Sequence, residues 1–113
     1  MSGAGQAAED IAAAWLQHRG LRLLQRNFRC RAGEIDLILR DGASLVFAEV
    51  RYRSNTGFGG AAASITAKKR QRIVTAARYY LMDKPEQPCR FDVVLLDRLA
   101  PDAVEWLRDA FGE

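Results

Sequence analysis

Apolar and polar positions recur at two different periods along the chain. From Gln6 to His18, Ala8, Ile11, Ala12, Trp15 and Leu16 fall on one helical face, and Gly20 marks a stop. Leu21 to Phe28 reads as a strand. Gly33 to Arg40 reads as a second, because Ile35, Leu37 and Leu39 alternate with Glu34, Asp36, Ile38 and Arg40. Asp41-Gly42 is a turn signal. Leu45 to Arg53, rich in Val and aromatics, follows as a third strand. Thr66 to Met82 predicts a helix with Ile73, Ala77, Tyr80 and Leu81 on one stripe. Lys84 to Pro88 breaks it, and Phe91 to Asp97 is a fourth strand, apolar on both faces. The glycine-rich residues 54–63 form a connection that matches no phosphate-cradling motif. The last segment, VEWLRDAF, is too short to assign. Helix, three strands, helix, strand is the order of one mixed α/β sheet flanked by helices.

Length and composition set limits on this picture. One domain spans residues 1–113, and 49% hydrophobic residues suffice for a core. Cys30 and Cys89 stand far apart without metal-ligand spacing, and His18 is the single histidine, so a zinc site is excluded. The start lacks the basic n-region of a secretion signal, and no apolar run is long enough for a membrane span. A reduced, cytoplasmic protein is expected.

The formal charge of +3 conceals an uneven distribution. Residues 11–90 hold fifteen Lys and Arg against six Asp and Glu, whereas the last twenty-three residues hold two bases and six acids. A basic body suits a polyanionic partner, although an Arg-rich surface alone would look the same.

The chemistry-bearing stretch is Gly33-Glu34-Ile35-Asp36-Leu37-Ile38 followed by Phe47-Ala48-Glu49-Val50-Arg51-Tyr52-Arg53. In an antiparallel hairpin a two-residue Asp41-Gly42 loop sets Glu34 opposite Glu49, and a four-residue loop over 41–44 sets Asp36 opposite Glu49. Either register gathers the carboxylates of Glu34, Asp36 and Glu49 on one face. Like charges so placed repel and resist desolvation. A divalent cation would offset both effects, and Arg51 could then hold a phosphate oxygen. The same acids also suit solvated ion pairs with Arg51, Arg53 or Arg31. Lys68, Lys69, Arg70 and Arg72 crowd the first turns of the second helix, against the helix dipole, as phosphate docking would favour. Arg19, Arg22, Arg26, Arg29 and Arg31 form a further acid-free run that could track a nucleic-acid backbone.

With these residues in view, the chain resembles the YraN-like family of small bacterial proteins over nearly its whole length. The blocks are Glu9-x-x-Ala12 with Leu16 and Gly20, Arg26-Asn27-Phe28-Arg29, GEIDLI, FAEVRYR, Lys69, Ile73, Ala77 and Leu81, and Phe91-Asp92-Val93. That family is similar to the restriction-endonuclease-like superfamily, in particular to archaeal Holliday-junction resolvases. The resemblance implies an αβββαβ core and a metal-dependent endodeoxyribonuclease acting on branched or structured DNA, with a homodimer plausible. It implies Mg²⁺ (or Mn²⁺) on Asp36, Glu49 and the Val50 carbonyl, with Glu9 reached through water. Glu34, Arg51 and Lys69 complete the catalytic candidates, and Arg53, Lys68, Arg70, Arg72, Arg29 and Arg31 would meet the nucleic acid. Two positions depart from the superfamily pattern. Arg51 stands where Lys is usual, and Arg stays protonated, so it cannot act as a general base. Ile35 stands where a proline usually precedes the Asp. A nucleic-acid-binding protein with the nuclease fold but little catalysis is the alternative.

Overall fold

The computed structural model describes residues 3–53 and 65–112. The glycine-rich connection at 54–63 lies outside the described residues. The elements run in the order α1 (Gly3–His18), β1 (Arg22–Cys30), β2 (Gly33–Asp41), β3 (Ser44–Tyr52), α2 (Ala67–Leu81), β4 (Cys89–Leu96) and β5 (Val104–Phe111).

The sheet has the spatial order β1-β2-β3-β4-β5. β3 and β4 are parallel and the other neighbours antiparallel, so the sheet is mixed. Parallel neighbours need a crossover, and the segment containing α2 supplies it.

Each helix covers one face. Ala8, Ala12, Ala13 and Leu16 of α1 pack on Leu37, Leu39, Val46, Ala48 and Val50. Ile73, Val74, Ala76 and Ala77 of α2 pack on Ile38, Leu45, Phe47 and Phe91. With both faces covered, β3 and β4 bury nearly every side chain, as the apolar runs in the sequence required. Thr66 caps α2, its hydroxyl accepting the Lys69 N–H at 3.1 Å. Gly20, with φ +97°, supplies the left-handed residue that ends α1.

The structure goes beyond the sequence expectation at the chain's last strand and departs from it at the β2–β3 turn. The segment from Val104 to Phe111, which the sequence does not assign, is a strand. It is held by a bulged pairing with β4 and by Asp92, a wholly buried carboxylate. Asp92 accepts the Trp106 indole N–H at 2.9 Å, the Asp109 backbone N–H at 2.9 Å and the Arg90 guanidinium at 3.0 Å. Secondly, the β2–β3 turn is a two-residue loop at Gly42-Ala43, with Asp41 facing Ser44. Gly42 provides its left-handed conformation at φ +61°. This tight turn gives the register that sets Asp36 towards Glu49, which the sequence had tied to a longer loop.

Candidate functional site

The β2–β3 ladder is regular from Asp41↔Ser44 to Leu37↔Ala48. One step further lies Asp36, and there the pattern changes. Leu37 and Leu39 pack with α1, whereas Ile38 and Ile35, three residues apart, both pack with α2. Strict alternation therefore slips at Asp36. Its carboxylate occupies the gap and accepts the Val50 backbone N–H through Oδ2 at 2.9 Å.

Glu49 is almost fully buried, with 3% of its surface exposed. On the α2 side of the sheet it meets two cations, Lys69 Nζ at 3.2 Å and Arg51 Nη1 at 3.5 Å, both on Oε2. Lys69 thus reaches the acid pair, although it lies 20 positions further along the sequence than Glu49. Asp36 feels Glu49 as a like charge. Burial first, then repulsion by Glu49, push its carboxyl from 3.8 up to about 7, against the opposing pull of the Val50 N–H.

The slip corrects the expectation that Glu34, Asp36 and Glu49 share one face. Glu34 does not join Glu49. It lies at a cavity of about 510 Å³ with Glu9, Asn27, Arg29 and Asp36, on the side of α1. There Glu34 accepts the Asn27 amide at 3.0 Å and pairs with exposed Arg29 at 3.4 Å. Glu9, on the first helix, accepts the same amide at 3.1 and 3.3 Å and the Arg26 guanidinium at 3.4 Å. Its carboxyl is raised by burial and by Asp36, while Asn27 and Arg26 oppose the rise. Asp36 stands at the junction, repelled by Glu49 from one side and by Glu9 and Glu34 from the other.

Asn27 belongs to the Arg26-Asn27-Phe28-Arg29 block of the resemblance, which assigns it no role. It has φ +52°, in the left-handed region that Asn tolerates better than most residues. The available signal was a poor strand former amid the basic strand β1. Asp92, in the Phe91-Asp92-Val93 block, likewise has no role in the sequence, because a carboxylate inside FDVVLLD gives no hint that an indole and a backbone N–H will meet it.

The basic candidates divide. Lys68, Arg70 and Arg72 are exposed on the first turns of α2, and Arg31 and Arg53 are exposed at strand ends. The Arg run is not a continuous bare track. Arg26 binds Asp10 at 2.7 Å, and Arg19 lies over the Trp15 ring at 4.2 Å.

The donor chemistry fits a hard cation held by two carboxylates. Asp36 and Glu49 offer oxygen ligands, as Mg²⁺ requires. A three-carboxylate cage is not formed: among the described residues no three Asp, Glu, His or Cys side chains are close enough to hold an ion. Nor is any helix of the described residues long and apolar enough to cross a membrane.

Comparison with known proteins shows the family of the chain. The model of the uncharacterised protein family UPF0102 matches residues 8–96. A UPF0102 protein of Dechloromonas aromatica is 59% identical over 108 residues, covering 96% of this chain and 88% of that protein. One from Methylobacillus flagellatus is 49% identical over 108 residues, covering 96% of each. One from Aeromonas hydrophila is 52% identical over 111 residues, covering 95% of this chain and 83% of that protein.

Proposed function

Since the chain belongs to the UPF0102 family, we propose that it is a metal-dependent endonuclease that hydrolyses phosphodiesters in branched or otherwise structured DNA. The observation that carries this reading is the acid pair, half-buried Asp36 beside buried Glu49, with Lys69 and Arg51 on the Glu49 carboxylate. Asp36, Glu49 and the Val50 carbonyl would hold Mg²⁺ or Mn²⁺, with Glu9 reached through water. Bound there, such an ion supplies an activated water and stabilises charge on the phosphate.

The chain's own residues set the rest. Arg51 stays protonated at any working pH, so it orients a phosphate oxygen and removes no proton. Lys69 supplies the ammonium that the superfamily carries at the position of Arg51, delivered here from the neighbouring helix. Lys68, Arg70 and Arg72 extend the positive surface at the α2 N-terminus, where backbone N–H groups also favour phosphate. Arg29, Arg31 and Arg53 would meet the DNA on either side. We place the protein in the cytoplasm, where Cys30 and Cys89 remain thiols, and expect a homodimer if two strands are cut together.

A second reading has its own observation. Glu49 already carries two fixed cations, which suits a DNA-binding protein with the nuclease fold and little catalysis. Incubation with junction, flap and linear DNA plus Mg²⁺ or Mn²⁺ separates the two. The nuclease reading expects cleavage that Asp36→Ala and Glu49→Ala abolish. Cleavage indifferent to both substitutions overturns the site, and salt-sensitive binding without cleavage selects the second reading.

A further inference from the structure

Asn27 serves neither the core nor the sheet ladder with its side chain. Its amide nitrogen lies within 3.0–3.3 Å of three carboxylate oxygens on two residues, Glu9 of α1 and Glu34 of β2. An Asn amide has two N–H groups, one for each carboxylate. These acids are 25 positions apart in sequence and on different elements. The amide is their shared donor, at the cavity that Asp36 also lines.

Three features make Asn the residue for this place. First, the backbone is left-handed, at φ +52°, which Gly, Asn and Asp adopt most readily. Of these, Gly has no amide and Asp has no donor when ionised. Second, the donor is neutral. A Lys or Arg at position 27 would pair with the acids but place a fixed positive charge beside Asp36, in competition with any cation bound there. Third, the nearby guanidiniums do not do the same work. Arg26 makes its close contact with Asp10 at 2.7 Å and stands at 3.4 Å from Glu9, and exposed Arg29 stands at 3.4 Å from Glu34.

We propose that Asn27 is a positioning residue for the acidic site: its side-chain amide holds Glu9 and Glu34 together beside Asp36, so that Glu9 faces the cation position without a fixed charge being added. This rests on the reading of Asp36 and Glu49 as a divalent-cation site. It extends that reading by making the placement of the helix-borne acid depend on a strand residue with no charge of its own.

The test uses the full chain, with Asn27→Gly, which keeps the left-handed backbone and removes the amide, and with Glu9→Gln and Asp36→Ala. One readout needs no metal. The Asn27 side-chain N–H₂ resonances in the NMR spectrum should move on Glu9→Gln, and failure to move overturns the proposal. The second is Mn²⁺ binding followed by electron paramagnetic resonance. Asn27→Gly should weaken Mn²⁺ affinity about tenfold, the low end of what partners of metal ligands commonly contribute. Combined with Glu9→Gln it should weaken it little further, because both substitutions remove the same placement. If Asp36→Ala abolishes Mn²⁺ binding but Asn27→Gly leaves it unchanged, the cation site stands and the role of Asn27 falls. If the wild type binds no Mn²⁺, the cation site itself falls and the proposal with it. Should Asn27→Gly fail to fold, Asn27→Asp carries the test. It keeps the backbone preference, removes the amide donors and repels Glu9, so it too should weaken Mn²⁺ binding about tenfold. Undiminished affinity overturns the proposal.

Discussion

Asp36 and Asp92 are carboxylates in one sheet with opposite fates. Asp92 is wholly buried, yet an indole N–H, a backbone N–H and a guanidinium surround it. Asp36 accepts the Val50 backbone N–H and lies against the like charge of Glu49, and its pKa rises to about 7. A buried charge ringed by donors is structure, and a carboxylate held against like charges invites a cation. The contrast gives two predictions. An acid whose native pKa exceeds its unfolded value holds its proton more tightly when folded. Asp36 therefore favours the fold most at low pH, and that contribution is lost as pH rises from about 4 towards 7. In metal-free protein, urea titrations over this range should show stability falling, and Asp36→Asn should flatten the fall. At Asp92 the partner is what matters. Trp106→Phe removes the indole donor to a buried charge and should cost about 1.5–3 kcal/mol, read as a lower urea midpoint at unchanged slope.

Among the elements, both helices and the first four strands were legible because each carries a clear period or a doubly apolar run. Leu16 and Ile73 stand where the helical stripes put them, buried on opposite faces of the sheet. What was not legible depends on tertiary partners. Val104–Phe111 becomes a strand because β4 offers an edge and Asp92 a set of acceptors, neither visible in eight residues of mixed polarity. Glu34 lies on the other face from the one its period predicts, because alternation slips at Asp36 and period counting assumes that it never does. Close packing of α1 explains its alanines. Ala8, Ala12 and Ala13 let the helix axis approach the sheet, so Ala12→Leu should force it outward at a cost of about 1–3 kcal/mol. Thermal unfolding of the variant checks this, with Ala14→Leu on the exposed side as the control expected to be near neutral.

For the whole molecule, an acidic centre is set within a basic surface, an arrangement suited to a polyanion that must approach buried carboxylates. If DNA is the partner, as proposed, its binding should weaken steeply with salt. Ala substitution at Lys68, Arg70 or Arg72 should each lower the slope of log affinity against log salt by about 1 if that side chain meets a phosphate. All of this depends on whether the Asp36–Glu49 pair is built for a divalent cation, and linked stability measures that directly. Thermal unfolding of wild type and Asp36→Ala is followed as Mn²⁺ is raised from zero, without DNA. A ligand that binds only the folded state stabilises it by about 2.7 kcal/mol at one hundred times its dissociation constant. The wild type should gain melting temperature progressively with Mn²⁺ while Asp36→Ala does not, and equal gains in the two, or none in the wild type, would contradict the assignment.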